Sequence, residues 1–171
     1  KKAIITLGSN HFEFEKWPDF ARYVAGGWFE EYVYTKLRLL LDSGLIKDLR
    51  IGLEVSFKET SSANRSSGLG EQLSTLFGDT YQELDITFTD GKRLYVIECK
   101  AGYVTSEHIM KLQNIIRYFG GIEGRGVLVS CFPPSNAVVR KKIADSKNLQ
   151  AISGDNIIKQ IKSIIESGGN Y

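Results

Sequence analysis

The sequence predicts an α/β fold: a sheet of mixed direction with helices on its faces. Three observations carry that expectation. Residues 81–102 set two apolar runs around Asp90-Gly91, the preferred pair for a two-residue hairpin turn. Strand-like and helix-like stretches then alternate to the end of the chain. A length of 171 residues with 42% hydrophobic content suits one domain around a single core.

Taken in order, residues 3–7 read as a short strand, and Trp17 to Val24 as a short helix around Pro18. A strong helix follows from Trp28 to Ser43, with Gly44 as its stop; Phe29, Val33, Leu37 and Leu40 form its buried stripe. Residues 49–57 are a strand, and the polar tract 58–80 is long for a connection inside a compact domain. "EQLSTLF" adds a turn of helix there. After the hairpin, Thr105 caps a helix from Ser106 to Phe119 that buries Ile109, Leu112, Ile116 and Phe119 and ends at Gly120-Gly121. A buried strand (125–132), Pro133-Pro134, a helix from Ser135 to Asp145, a short strand (149–153) and an isoleucine-rich helix (155–166) complete the order.

Composition narrows function more by exclusion than by direction. Net charge is only +2, so a nucleic-acid partner must be met by a local patch. Cys99 and Cys131 lie in apolar strand-like runs, which argues against a disulfide framework. With His11 and His108 the only histidines, a structural zinc site is not expected. No apolar run reaches the roughly 20 residues of a membrane span, and a signal-peptide pattern is lacking. The expected setting is reducing and cytoplasmic.

Against that ordinary background, Asp85, Glu98 and Lys100 stand out, because they sit inside the best β-signal of the chain. An unpaired buried carboxylate costs several kcal/mol or protonates. Alternation puts Glu98 and Lys100 on one face and Cys99 on the other. A two-residue turn at Asp90-Gly91 pairs Thr89 with Lys92 and Asp85 with Val96, placing Asp85 on the same face and diagonal to Glu98. Two carboxylates so placed can share a divalent cation. The plainer alternative is a structural ion pair in which Lys100 neutralises Glu98, but it leaves Asp85 unexplained. On the preceding helix, Glu30 lies about 60° from Val33, on the rim of the apolar stripe, whereas Glu31 lies about 160° away and faces water.

These residues carry a resemblance. "ELDITF…LYVIECKAG", preceded by a helix with a glutamate, resembles the PD-(D/E)XK nuclease superfamily, with Leu84 where that pattern has proline. More narrowly, "GGWFEEYVY", "ELD", "LYVIECKAG" and "IIRYFGGIEGRGVLVS" resemble the nuclease domain of CRISPR-associated ancillary nucleases that carry a CARF sensor. The resemblance implies a restriction-endonuclease-like core and metal-dependent hydrolysis of DNA or RNA. It implies that Asp85, Glu98, the Cys99 carbonyl and Glu30 hold magnesium or manganese. Lys100 then orients water, stabilises developing charge, or acts as a base if its pKa is depressed. Lys58, Arg65, Lys111 and Arg117 are the candidates for phosphate contact. Gln113 and Tyr118 approximate a Gln-x-x-x-Tyr motif of recombination nucleases, with the tyrosine one position late.

The expected organisation is one nuclease domain over 1–171, with 1–25 as a lead-in from an upstream domain. The chain opens on Lys1-Lys2, before which an initiator methionine is not normally trimmed, and reads as part of a longer protein. The narrow resemblance implies a homodimer whose missing sensor binds a cyclic oligoadenylate. The alternatives are a restriction-like or repair endonuclease without a sensor, and a catalytically dead nucleic-acid-binding module.

Overall fold

The computed structural model describes residues 2–7, 9–55 and 82–168. The expected 58–80 tract, with its extra helical turn, therefore lies outside the described residues. Strands β1 (Ala3–Leu7) and β2 (Asn10–Phe14) pair as a separate antiparallel hairpin. The second of these strands was not legible in the sequence. Helix α1 (Trp17–Arg22) leads through a kink at Gly26 into α2 (Trp28–Asp42).

The main sheet has the order β3-β4-β5-β6-β7, formed by Lys47–Val55, Gln82–Thr89, Leu94–Lys100, Arg125–Ser130 and Leu149–Ser153. The first three strands are antiparallel and the last two continue parallel, giving the expected mixed sheet. Between them lie α3 (Ser106–Ile115, continued by a wider turn to Gly120) and α4 (Ala137–Ala144), and α5 (Ile157–Glu166) closes the fold.

Two apolar layers sandwich the sheet. On one face, Phe29, Val33, Leu37 and Leu40 of α2 and Ile157, Ile161, Ile164 and Ile165 of α5 pack on Ile86, Ile97, Cys99 and Val129. On the other, Ile109, Leu112, Ile115 and Ile116 pack on Val96, Leu128 and Leu149. The α3 stripe thus includes Ile115, which the sequence reading omitted, while Phe119 is only partly buried. Gly126 is what lets this helix approach: a Cβ there would meet the Ile116 Cδ1 at 2.2 Å. Strand β6 stops at Ser130, short of the expected residue 132, where the chain turns toward Pro133.

The hairpin register corrects the expectation. Thr89 pairs with Leu94 and Thr87 with Val96, so the turn spans Asp90 to Arg93 and Asp85 does not oppose Val96. The Asp90 carboxylate causes this: it accepts hydrogen bonds from the Lys92 and Arg93 amides, both at 2.8 Å. Gly91, at φ +93°, supplies the left-handed residue that the loop needs. The register moves by an even number of positions, so the side chains from Ile86 to Thr89 keep their faces.

Candidate active site

Asp85 sits one position past the last ladder pair, Ile86 with Ile97, and its carboxylate lies against the end of β5 that carries Glu98. Leu84 packs in the α3 layer and Ile86 in the α2 layer, so strand alternation reverses at Asp85. Its Oδ2 takes the Cys99 amide at 2.7 Å, a donor that a ladder carbonyl would otherwise hold. Because the N–H and C=O of one strand residue leave on the same side, the Cys99 carbonyl is directed toward β4 as well. The Lys100 carbonyl points the other way, accepting from the Cys131 amide at 3.2 Å. The Cys99 thiol belongs to the α2-side core, and burial raises its pKa well above the ordinary thiol value.

Glu98 and Lys100 share a face, as alternation requires. Lys100 Nζ lies 2.7 Å from Glu98 Oε1 and 4.0 Å from Asp85 Oδ2. The ion pair of the plainer reading is therefore formed, yet it leaves Asp85 short of compensation. Only 2% of the Glu98 side chain and 12% of the Asp85 side chain are exposed. Burial, and then the Glu98 charge, push the Asp85 carboxyl up to about 7, against the opposing pull of Lys100 and the Cys99 amide. For Lys100, burial opposes the charge, but the Glu98 carboxylate beside it wins and holds its pKa above the ordinary value. The lysine in this arrangement is a cation, not a depressed amine.

Glu30 is half-buried at the start of α2, and Glu31 is exposed, as the helix angles predicted. Burial first and the Glu83 carboxylate second raise the Glu30 pKa, with a smaller contribution from Glu98. Glu30 thus faces the cluster without joining it closely. Among the described residues, no group of three or more His, Cys, Asp or Glu side chains is set to hold an ion.

Of the proposed phosphate contacts, Lys58 and Arg65 lie outside the described residues, and Arg117 is exposed on the wider turn after α3. Lys111 is different: its Nζ is 3.7 Å from Glu98 Oε1, inside the cluster. A signal for this existed, since Lys111 lies about 40° from Ile115 on the helix and would have ranked beside the stripe had Ile115 been counted. Gln113 is engaged elsewhere, donating to the Ser146 hydroxyl at 2.6 Å. Two further groups went unnoticed in the sequence. Glu83 stands near Glu30, and His108 accepts from the Thr105 amide at 3.1 Å while Lys100 helps lower its pKa, after burial.

Residues 65–168 match the family model described as Card1-like, endonuclease domain. The chain belongs to that family. The Card1-like match spans Asp85, Glu98, Lys100 and Lys111, and leaves Glu30 upstream of it. It bears out the nuclease resemblance read from the hairpin. No curated protein matches this chain. Among solved structures, protein VC1899 from Vibrio cholerae aligns over 97% of this chain with TM-score 0.69 and 19% identity. Can2 from Sulfobacillus thermosulfidooxidans, solved in complex with cyclic tetra-adenylate, aligns over 98% with TM-score 0.61 and 24% identity. These likenesses establish a shared fold. The chain spans 40% of VC1899 and 42% of Can2. No helix among the described residues is long and apolar enough to cross a membrane.

Proposed function

We propose that this Card1-like domain is a metal-dependent nuclease that hydrolyses phosphodiester bonds at the cluster of Asp85, Glu98 and Lys100. The observation that supports it most is two buried carboxylates that share one ammonium, 2.7 Å from Glu98 and 4.0 Å from Asp85. That balance leaves negative charge in excess: Asp85 is driven toward neutrality, and Glu30 and Glu83 add to the field. A hard divalent cation suits such a place, and every donor on offer is oxygen: the two carboxylates and the Cys99 carbonyl directed toward them. Magnesium or manganese, when bound, would supply an activated water and offset the phosphate charge.

The chain's own residues then divide the work. Asp85 and Glu98 would hold the ion, Glu98 placed by the β5–β6 ladder and Asp85 by its hydrogen bond from the Cys99 amide. Lys100, kept protonated by Glu98, presents its ammonium to the negative charge that develops on the phosphate. Its high pKa disfavours the general-base role. Glu30 acts at one remove, orienting water or Lys100 from the rim of α2. Lys111, in reach of Glu98 and more exposed than Lys100, meets the strand backbone. Lys100 and Lys111 form the local cationic patch that a net charge of +2 does not otherwise provide.

The wider role is that of an effector domain in a CRISPR ancillary nuclease. Can2 is more than this domain and was solved with cyclic tetra-adenylate, which favours a ligand-binding remainder outside residues 1–171. The deciding experiment incubates the chain with single-stranded RNA, single-stranded DNA and supercoiled plasmid in manganese, magnesium or EDTA. Metal-dependent cleavage lost in Glu98→Gln supports the assignment. Undiminished cleavage in EDTA, or by Glu98→Gln, would overturn it.

A further inference from the structure

Past the ends of β5 at Lys100 and β6 at Ser130, the following loops enclose a cleft of about 380 Å³ lined by Tyr103, Val104, Phe132, Pro133 and Pro134. Tyr103 is 90% exposed and Phe132 70%. One exposed aromatic is ordinary on a protein surface. Two on neighbouring loops, facing one cleft beside a buried charge cluster, call for a reason.

The Phe132 loop is fixed by the site itself. The Cys131 amide donates to the Lys100 carbonyl at 3.2 Å, and the fully buried Ser130 hydroxyl donates to the Phe132 carbonyl at 2.8 Å. Pro133 and Pro134 restrict the chain after it. The Arg140 guanidinium then clasps the loop, donating to the Pro134 and Ser135 carbonyls, and brings positive charge to the rim. The ring is thus held out to solvent on a braced backbone, at little entropic cost to a ligand. The loop also lies past the carboxyl ends of the parallel strands β5 and β6, where open α/β sheets bind their ligands.

An apolar, aromatic-walled slot with a cationic rim, on the loops that leave the strand ends of the proposed site, has the chemistry of a nucleobase pocket. Bases stack on aromatic rings while the rim meets the backbone. We propose that the cleft between Tyr103 and Phe132 is a nucleobase subsite that stacks an unpaired base of the strand being cleaved; this rests on the nuclease reading. It sets the scissile bond at a fixed distance from a captured base. A base held in a duplex enters only by leaving its stack, at a cost of a few kcal/mol. Stacking tolerates any base, so the subsite selects accessibility rather than sequence.

The test compares two strands of equal length and phosphate charge, an oligothymidylate and a fully abasic counterpart, by fluorescence anisotropy. All binding is measured on a Glu98→Gln background, which removes one carboxylate charge and stops turnover. Tyr103→Ser and Phe132→Ser should each weaken oligothymidylate binding by roughly 5- to 100-fold. Affinity for the abasic strand should be unchanged, and Phe132→Trp should bind like phenylalanine. Both side chains are exposed, so unfolding temperatures should not move. Serine variants that bind oligothymidylate as tightly as before, or that lose affinity for both strands equally, would overturn the subsite. Oligothymidylate cleavage in manganese, measured with Glu98 intact, separates the two readings. Cleavage that is indifferent to the aromatics sinks the subsite alone, whereas neither binding nor cleavage of any strand sinks the nuclease reading with it.

Discussion

Replacing Asp85 by asparagine removes one of two buried carboxylates that share Lys100, and in the absence of metal this should stabilise the fold. The folded pKa of about 7 stands about 3 above the ordinary 3.8. At about 1.4 kcal/mol per unit, carrying the charge above pH 7 costs the folded state up to about 4 kcal/mol. Asparagine keeps an oxygen for the Cys99 amide, now accepted at 2.7 Å, but buries an amide nitrogen at a cost of about 1–2 kcal/mol. The net gain is about 2 kcal/mol, or about 4–8 °C in unfolding temperature for a chain of this size.

The sign follows from the raised pKa. Between pH 3.8 and about 7 the folded protein binds the proton that the unfolded chain has released, so wild-type stability falls as pH rises through that window. Asp85→Asn should lack that part of the slope. Thermal unfolding in EDTA should therefore show the variant ahead at pH 8, with its lead shrinking toward pH 5. A variant less stable than wild type at pH 8, or a lead that does not change with pH, would refute the account of the site as a strained pair of like charges.

Glu98→Gln should retain the fold and lose cleavage by more than the roughly 10–100-fold typical of groups that only support a metal ligand; circular dichroism and a plasmid-nicking assay check both halves. Glu30→Gln should lower cleavage far more than Glu31→Gln, and equal rates would show that α2 presents a different face to the site. Lys100→Met should reduce kcat more than Lys111→Met. Lys111→Met should instead weaken strand binding and flatten its salt dependence by about one unit of slope, read from a titration in potassium chloride.

Sequence alone determined most of what depends on local periodicity. The α2 stripe of Phe29, Val33, Leu37 and Leu40, the outward face of Glu31, and the shared face of Glu98 and Lys100 all follow from helical and strand repeats. The faces from Ile86 to Thr89 survived a wrong register because the Asp90 carboxylate lengthened the turn by an even count, and side-chain direction has period 2. The tertiary structure decided what lies across the chain. It took Asp85 out of the β4–β5 ladder and bonded it to the Cys99 amide, and it brought Lys111 to Glu98 across the helix–sheet layer. Parallel pairing of β5 and β6, which no local pattern specifies, set the Cys131 amide on the Lys100 carbonyl, one residue before Phe132. The charges of Asp85 and Lys100 were likewise undecided in the sequence, because a buried group's proton affinity is fixed by the neighbours that replace its water, and those neighbours arrive only with folding.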